Sequence, residues 1–242
     1  MRPLSAAVLM EAWDAPAPEG VHVRLERLLS VALDGADISG DTLGRRNQRL
    51  IALRRSLGML RPIEAKGRCG CGVDNEVIIP ADAIEAAPTP PTGAVVSVEV
   101  DGRTLLARLP TMADLASVAS MTDPAAAGAA LVRRCLDPAN DDAVNSETVL
   151  LALGSAFEAV DPAADIRLAV TCAGCGEPLR VAVDLANFIG RDVAAQLAGL
   201  TGEIDALARA YGWSEADILA LPPVRRRRYV AMVRGEMLGD VA

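Results

Sequence analysis

Aromatic side chains are nearly absent from this sequence: two Phe, two Tyr and two Trp in 242 residues. Single-stranded nucleic acid is held largely by stacking its bases on rings, so a ring-poor chain offers it little platform. Histidine occurs once, as His22, which excludes Ser-His-Asp triads, His-Glu-x-x-His metal sites and most facial triads together. Lysine also occurs once, as Lys66, which leaves little for Schiff-base chemistry. There is no Gly-x-Ser-x-Gly elbow and no phosphate-binding glycine loop with Lys-Ser/Thr. The acidic pair Asp141-Asp142 falls in an apparent loop and reads as solvated surface. No apolar run approaches the ~20 residues of a membrane span. The run from Leu4 to Met10 is too short for a secretory signal. A formal net charge of −8 argues against a phosphate backbone as the main partner. These absences point away from catalysis, membranes and nucleic acid. They lead us to expect a protein of the reducing cytoplasm, where disulfides rarely persist.

Hydrophobic residues make up 51% of the chain, drawn mostly from Ala, Leu and Val, which suffices for a folded core. Val21, Leu25, Leu28, Leu29 and Ala32 share one helix face, and Gly35 stops that helix. A second helix is expected from Asp41 as its N-cap, with Leu50, Leu53, Leu57 and Leu60 on the apolar side. Its other side holds Arg45, Arg46, Arg49, Arg54 and Arg55, read first as a solvated face and second as a docking surface. A strand over 73–80, cored by Val77, Ile78 and Ile79, precedes a proline-rich loop over 85–93. The segment 95–109 is a hairpin, because Asp101-Gly102 supplies the positive φ angles of a tight turn.

Helical signals then resume. Thr111 and Asp114 form a capping box, and Asp123-Pro124 opens a helix through Leu136. Ser146 is expected to cap another, with Val149, Leu153, Phe157 and Val160 on one face. Strands over 166–171 and 179–184 are followed by a long helix that Gly212 ends. Ser214 with Asp217 starts a short helix, Pro222-Pro223 ends it, and a last helix carries Arg225, Arg226, Arg227 and Arg228. A weak internal echo is visible, since helices, a cysteine knuckle ending in Cys-Gly and a strand occur twice.

Cysteine is where chemistry concentrates. Cys172-x-x-Cys175-Gly176 has the form of a zinc knuckle, a tight turn that aims two thiolates at one ion. Cys69-x-Cys71-Gly72 is the same device shortened by one residue. Together they supply four thiolates, the closed tetrahedral set of structural zinc, with one ion per chain. The pairs lie roughly 100 residues apart, but loop closure costs grow only logarithmically with length. A structural zinc site contributes on the order of 10–16 kcal/mol, which outweighs that cost. Two rival readings stand beside this one: a redox pair at Cys172/Cys175, and buried thiols that bind nothing. Cys135, in a helix after Arg133-Arg134, reads as a core thiol.

The C-terminal third carries a resemblance. The run Ala208-Arg-Ala-Tyr-Gly-Trp213-Ser-Glu-Ala-Asp-Ile-Leu-Ala-Leu-Pro222, followed by Arg225 to Tyr229, looks like a signature of proteins encoded with contractile phage tails and related injection systems. Gly44-Arg-Arg-Asn-Gln-Arg-Leu-Ile-Ala-Leu-Arg54, Leu109-Pro-Thr111 and Ala164-Asp-Ile-Arg-Leu168 agree with it. With both knuckles, most of the chain resembles the T-even-phage-type baseplate hub assembly chaperone family. That resemblance implies a non-enzymatic role in building the hub of the baseplate, with hub or spike proteins as partners. It implies action in the bacterial cytoplasm during tail assembly, with retention in the finished tail as the alternative. Members often carry two Cys-x-x-Cys-Gly knuckles, and this chain departs from that by the residue missing between Cys69 and Cys71.

Transient docking of an assembly factor would need exposed anchors. Trp213, Ile218, Leu219, Arg225, Arg226, Arg227, Arg228 and Tyr229 are the candidates, since Trp, Tyr and Arg are enriched in binding hot spots. The alternative is a terminal helix packed on its own core. The expected architecture is α+β, mostly helical, with small β hairpins around a zinc ribbon-like cysteine junction. Its segments are 1–62 (helices), 63–110 (first knuckle and β segments), 111–163 (middle helices), 164–186 (second knuckle hairpin) and 187–242 (C-terminal helices), joined through the metal into one unit. The competing functional class is a zinc-ribbon adaptor for nucleic acid or a transcription complex, and a third is a thiol oxidoreductase.

Overall fold

Ser5 begins the first helix, α1 (Ala6–Asp14), by accepting the Val8 N–H on its hydroxyl at 3.3 Å. The computed structural model describes residues 1–16, 20–138 and 146–235; the Asp141-Asp142 pair lies outside them. Helix α2 (Val21–Ala32) buries Leu25, Leu28, Leu29 and Ala32, the face anticipated from spacing. The chain leaves it through Gly35 at φ +82°, whose N–H returns to the Ser30 carbonyl. Helix α3 (Leu43–Ser56) starts one residue later than expected. Thr42, not Asp41, is the cap, accepting the Arg45 N–H at 3.3 Å, while Asp41 pairs with Arg49 at 2.8 Å. Leu60 also departs from expectation: beyond Gly58, which turns the chain at φ +77°, it is 79% exposed.

The arginines of α3 do not form a solvated face. Arg46 and Arg54 are buried. Arg46 donates to His22 Nδ1 at 2.7 Å, and Arg54 donates to Asp192 and to the Met59 carbonyl, both at 2.7 Å. Burial, then the Arg46 charge, pushes His22 below the usual histidine range, which suits a neutral ring accepting that bond. Arg55 pairs with Asp82 and with Glu85. Long guanidinium stems can lie inside when their heads find partners, and periodicity alone cannot reveal those partners.

Six strands form three two-stranded antiparallel sheets among the described residues. Strand β1 (Ile63–Arg68) pairs with β2 (Asp74–Ile79), Ile63 opposite Ile79 and Arg68 opposite Asp74. Val77 and Ile79 of β2 face inward, whereas Ile78 points to solvent. Helix α4 (Ala81–Ala86) runs into the start of the expected loop over 85–93. Strands β3 (Val95–Val100) and β4 (Arg103–Arg108) turn at Asp101 and Gly102, with φ +52° and +76°, as read from the sequence. Strand β5 (Arg167–Thr171) pairs with β6 (Pro178–Ala182).

The capping box of Thr111 and Asp114 opens α5 (Met112–Val118), and Asp123 caps α6 (Pro124–Cys135). Helix α7 (Glu147–Val160) buries Val149 and Leu153, but Ser146 makes no side-chain cap and Val160 is exposed. Helix α8 (Leu185–Tyr211) is capped by Asp184 and ends at Gly212 in the left-handed region. The second capping box, Ser214 with Asp217, opens α9 (Glu215–Ala220), and α10 (Pro223–Val233) starts on proline.

Three apolar clusters result. The largest gathers α1, α2, α3, the first hairpin and the N-terminal two-thirds of α8. A second sets β3 and β4 against α7, so the hairpin over 95–108 belongs with the middle helices rather than with the first knuckle. A third joins the end of α8 to α9 and α10 through Leu207, Ile218 and Val230. No helix among the described residues is long and apolar enough to cross a membrane.

Candidate metal centre

Each cysteine pair sits at the tip of a hairpin, where the turn dictates how the thiols point. After β1, the Cys69 N–H donates to the Val73 carbonyl, and the Gly72 N–H donates back to Cys69, both at 2.9 Å. After β5, the Cys172 N–H donates to the Glu177 carbonyl, and the Gly176 N–H donates back to Cys172, again at 2.9 Å. Gly72 and Gly176 adopt φ of +92° and +78°, conformations that favour glycine in both turns. The residue missing from the first knuckle is therefore absorbed by a tighter turn, three residues from carbonyl to N–H instead of four.

The two tips meet although 101 residues separate Cys71 from Cys172. Their approach needs small residues on the facing backbones. A Cβ on Gly67 would lie 2.3 Å from Val181 Cγ2, and one on Gly174 would lie 2.6 Å from Val73 Cγ2. The sulfurs interleave: Cys69 Sγ lies 3.7 Å from Cys175 Sγ, and Cys71 Sγ lies 3.6 Å from Cys172 Sγ. All four lie within 4.8 Å of one another. A tetrahedron with zinc–sulfur bonds of about 2.3 Å has edges of about 3.8 Å, so the quartet has the dimensions of a four-thiolate site. All five cysteines are free thiols, and Cys135 is buried elsewhere, its thiol pushed up to about 11 mainly by burial. The structure thus brings Cys69, Cys71, Cys172 and Cys175 together into a group that can hold a metal ion.

Burial across the quartet is uneven. Cys172 is buried, Cys69 half-buried, and Cys71 and Cys175 are exposed. The Cys172 thiol is held down at about 6 by the backbone N–H groups of Cys175 and Gly174, then by the Asn75 amide. A depressed thiol is one requirement of a thiol oxidoreductase, but this sulfur faces the hairpin junction and sits between two strands rather than at a helix N-terminus. The same stabilised thiolate suits metal ligation, which needs deprotonated sulfur.

Sequence reasoning overlooked Asn75. Its amide nitrogen lies 3.6 Å from Cys172 Sγ, and its oxygen accepts the Ala173 N–H at 2.8 Å. A signal did exist: Asn75, Val77 and Ile79 share the inward face of β2, and a polar residue in that register asks for a partner.

The C-terminal candidates divide. Ile218 is fully buried, and Arg226 is buried with its Nε on Glu203 at 2.6 Å, so both serve the chain's own packing. Trp213 stacks on Tyr211 at 4.8 Å and meets the edge of Tyr229 at 5.1 Å. Leu219 packs against the largest core. Arg225, Arg227 and Arg228 face solvent. In comparisons with known proteins, no family model, no curated protein and no solved structure matches this chain.

Proposed function

We propose that the cysteine quartet holds one structural zinc ion and that the chain is a non-enzymatic assembly chaperone or minor component of the baseplate hub of a contractile tail or injection system. The zinc assignment is carried by the sulfur geometry, four thiols at tetrahedral spacing with no place left for a substrate. Four thiolates also suit iron, and metal analysis with a visible spectrum separates a colourless zinc protein from a coloured iron one.

The assembly role rests on the resemblance. The run starting at Gly44 and the run starting at Ala164, which both carry the resemblance, are bonded to each other. Asn47 donates to the Ala163 and Ala164 carbonyls, at 2.8 and 3.3 Å. Asp161 accepts the Gly44 N–H at 2.9 Å. These bonds tie the start of α3 to the segment that leads from α7 into β5, the strand before the second knuckle. Partner contact falls to the exposed part of α10, with Arg225, Arg227 and Arg228 facing an acidic patch on a hub or spike protein.

A tagged pull-down from producing cells, beside mass spectrometry of finished tails, tests this. Hub or spike proteins in the pull-down with the chain absent from tails identify a transient chaperone. Fixed stoichiometry in tails identifies a structural component, and no tail protein in either sample defeats the reading. Reversing Arg225, Arg227 and Arg228 to Glu should cut partner recovery at least tenfold without lowering thermal stability. The same arginines are the feature on which a nucleic-acid adaptor would rest. Salt-dependent DNA or RNA binding lost in that triple variant would favour the adaptor instead.

A further inference from the structure

We infer that Asn75 is the positioning residue of the metal centre, a clasp that joins the two knuckles and fixes the buried ligand Cys172. The inference rests on the metal reading above and adds a residue outside the ligand set. Asn75 is buried, on the inward face of β2, two residues after Val73. Its Nδ2 has two N–H groups and three acceptors around it: the Val73 carbonyl at 3.2 Å, the Gly67 carbonyl at 3.4 Å and Cys172 Sγ at 3.6 Å. Its Oδ1 accepts the Ala173 N–H at 2.8 Å, from the residue that follows the ligand. One side chain therefore lies within hydrogen-bond reach of the first hairpin's backbone on both sides of its knuckle and of the second knuckle at a sulfur and an N–H.

The chemistry follows from this placement. A thiolate ligand concentrates charge on sulfur, and a buried amide N–H pointed at it offsets that charge and fixes the direction of its lone pairs. Cys71 and Cys175 lie at the solvent side of the quartet, where water can perform that service. Cys172 is buried and depends on protein donors; beside the backbone N–H of Gly174 and the neighbouring thiols, Asn75 brings it an amide N–H from the opposite hairpin. Aspartate at this position would keep an acceptor for Ala173 but face two carbonyls and a thiolate without the amide donor. Alanine would lose both halves of the clasp.

The test uses the full-length chain stripped of metal and titrated with Zn2+ against a competing chelator, and with Co2+ as a spectroscopic probe. In N75D and N75A, zinc affinity should fall about 10- to 100-fold, the range for outer partners of metal ligands. The cobalt thiolate charge-transfer band should shift in both variants, because the Cys172 sulfur loses the Asn75 amide and keeps only its other donors. Far-UV circular dichroism and melting of the metal-free proteins separate this role from general weakening. L153A, in the second core, is the control that lowers metal-free stability while leaving zinc affinity unchanged. Wild-type affinity and an unshifted band in either folded variant would overturn the inference. So would affinity losses that merely track metal-free stability. Failure of the wild-type chain to bind near one equivalent of zinc or cobalt would instead sink the metal reading itself.

Discussion

Asp114 accepts from both the N–H and the hydroxyl of Thr111, and from Arg108 at 2.5 and 2.8 Å and Arg134 at 3.2 Å, while being only 2% exposed. A carboxylate read from sequence as a helix cap thus also ties β4 and α6 to the start of α5. Burial by itself would raise its pKa, but the Arg108 guanidinium and the two Thr111 donors outweigh burial and hold the carboxyl well below the usual range. A group depressed in the folded state gives stability that is present above its unfolded pKa of about 3.9 and is lost as pH falls through the folded value. Stability of the wild-type chain should therefore decline below about pH 4, and D114N should flatten that slope. The substitution should also cost on the order of 2–4 kcal/mol at pH 7, because it leaves Arg108 and Arg134 short of a charged partner. Denaturant unfolding of both proteins at pH 3 and pH 7 reads both effects. An unchanged difference between the two pH values would show that Asp114 is not the titrating group.

Among the elements, the two kinds of glycine on helices should respond in opposite directions. Gly44 lies in the first turn of α3, where an added Cβ would sit 1.8 Å from Asp161 Oδ1. Gly199, on the exposed side of α8, has nothing within 4 Å of an added Cβ. G44A should cost about 1–3 kcal/mol through overpacking, and G199A should stabilise by about 0.5–1 kcal/mol through helix propensity. Thermal melts of the two variants should move apart, and a G44A melt at or above wild type would refute the proposed close approach. This contrast also marks how far the sequence is legible. The Asp101-Gly102 hairpin, both capping boxes and the Gly212 stop are local signals, complete within four or five residues, and they are found where the sequence places them. The buried arginines of α3 are not legible, because their partners His22 and Asp192 lie in other helices and a run of arginine looks the same on either face. Strand β1 is faint for another reason. Its inward positions are Ile63, Ala65 and Gly67, and small residues are weak strand formers that are there to let Val181 approach. The four cysteines were legible as a set because their spacing is itself chemistry. Asn75 belongs to the same centre but shows only as a polar residue in an apolar register.

At the scale of the whole molecule, the cores and the metal centre carry different parts of the fold. The segments flanking the first two cores are bonded to each other, by Met112 and Ala113 N–H groups donating to the Asp41 and Ser39 carbonyls at 3.0 Å and by the contacts of Gly44 and Asn47 with the segment after α7. None of these passes through a cysteine. The two knuckle hairpins, by contrast, meet at their tips mainly through sulfur, the Asn75 clasp and the Gly67–Val181 contact. Chelation should therefore loosen the hairpins over 63–79 and 167–182 while β3, β4 and α7 keep their protection from hydrogen exchange. Free zinc at 100 times its dissociation constant should stabilise the folded chain by about 2.7 kcal/mol, and readdition after chelation should restore the lost protection. Hydrogen exchange with and without chelator, resolved by peptide, reads all of this in one experiment. Protection lost evenly across the chain would make the metal the organiser of the entire fold. Protection unchanged in both hairpins would mean that packing and hydrogen bonds alone hold the four sulfurs together, and the structural zinc assignment would fall.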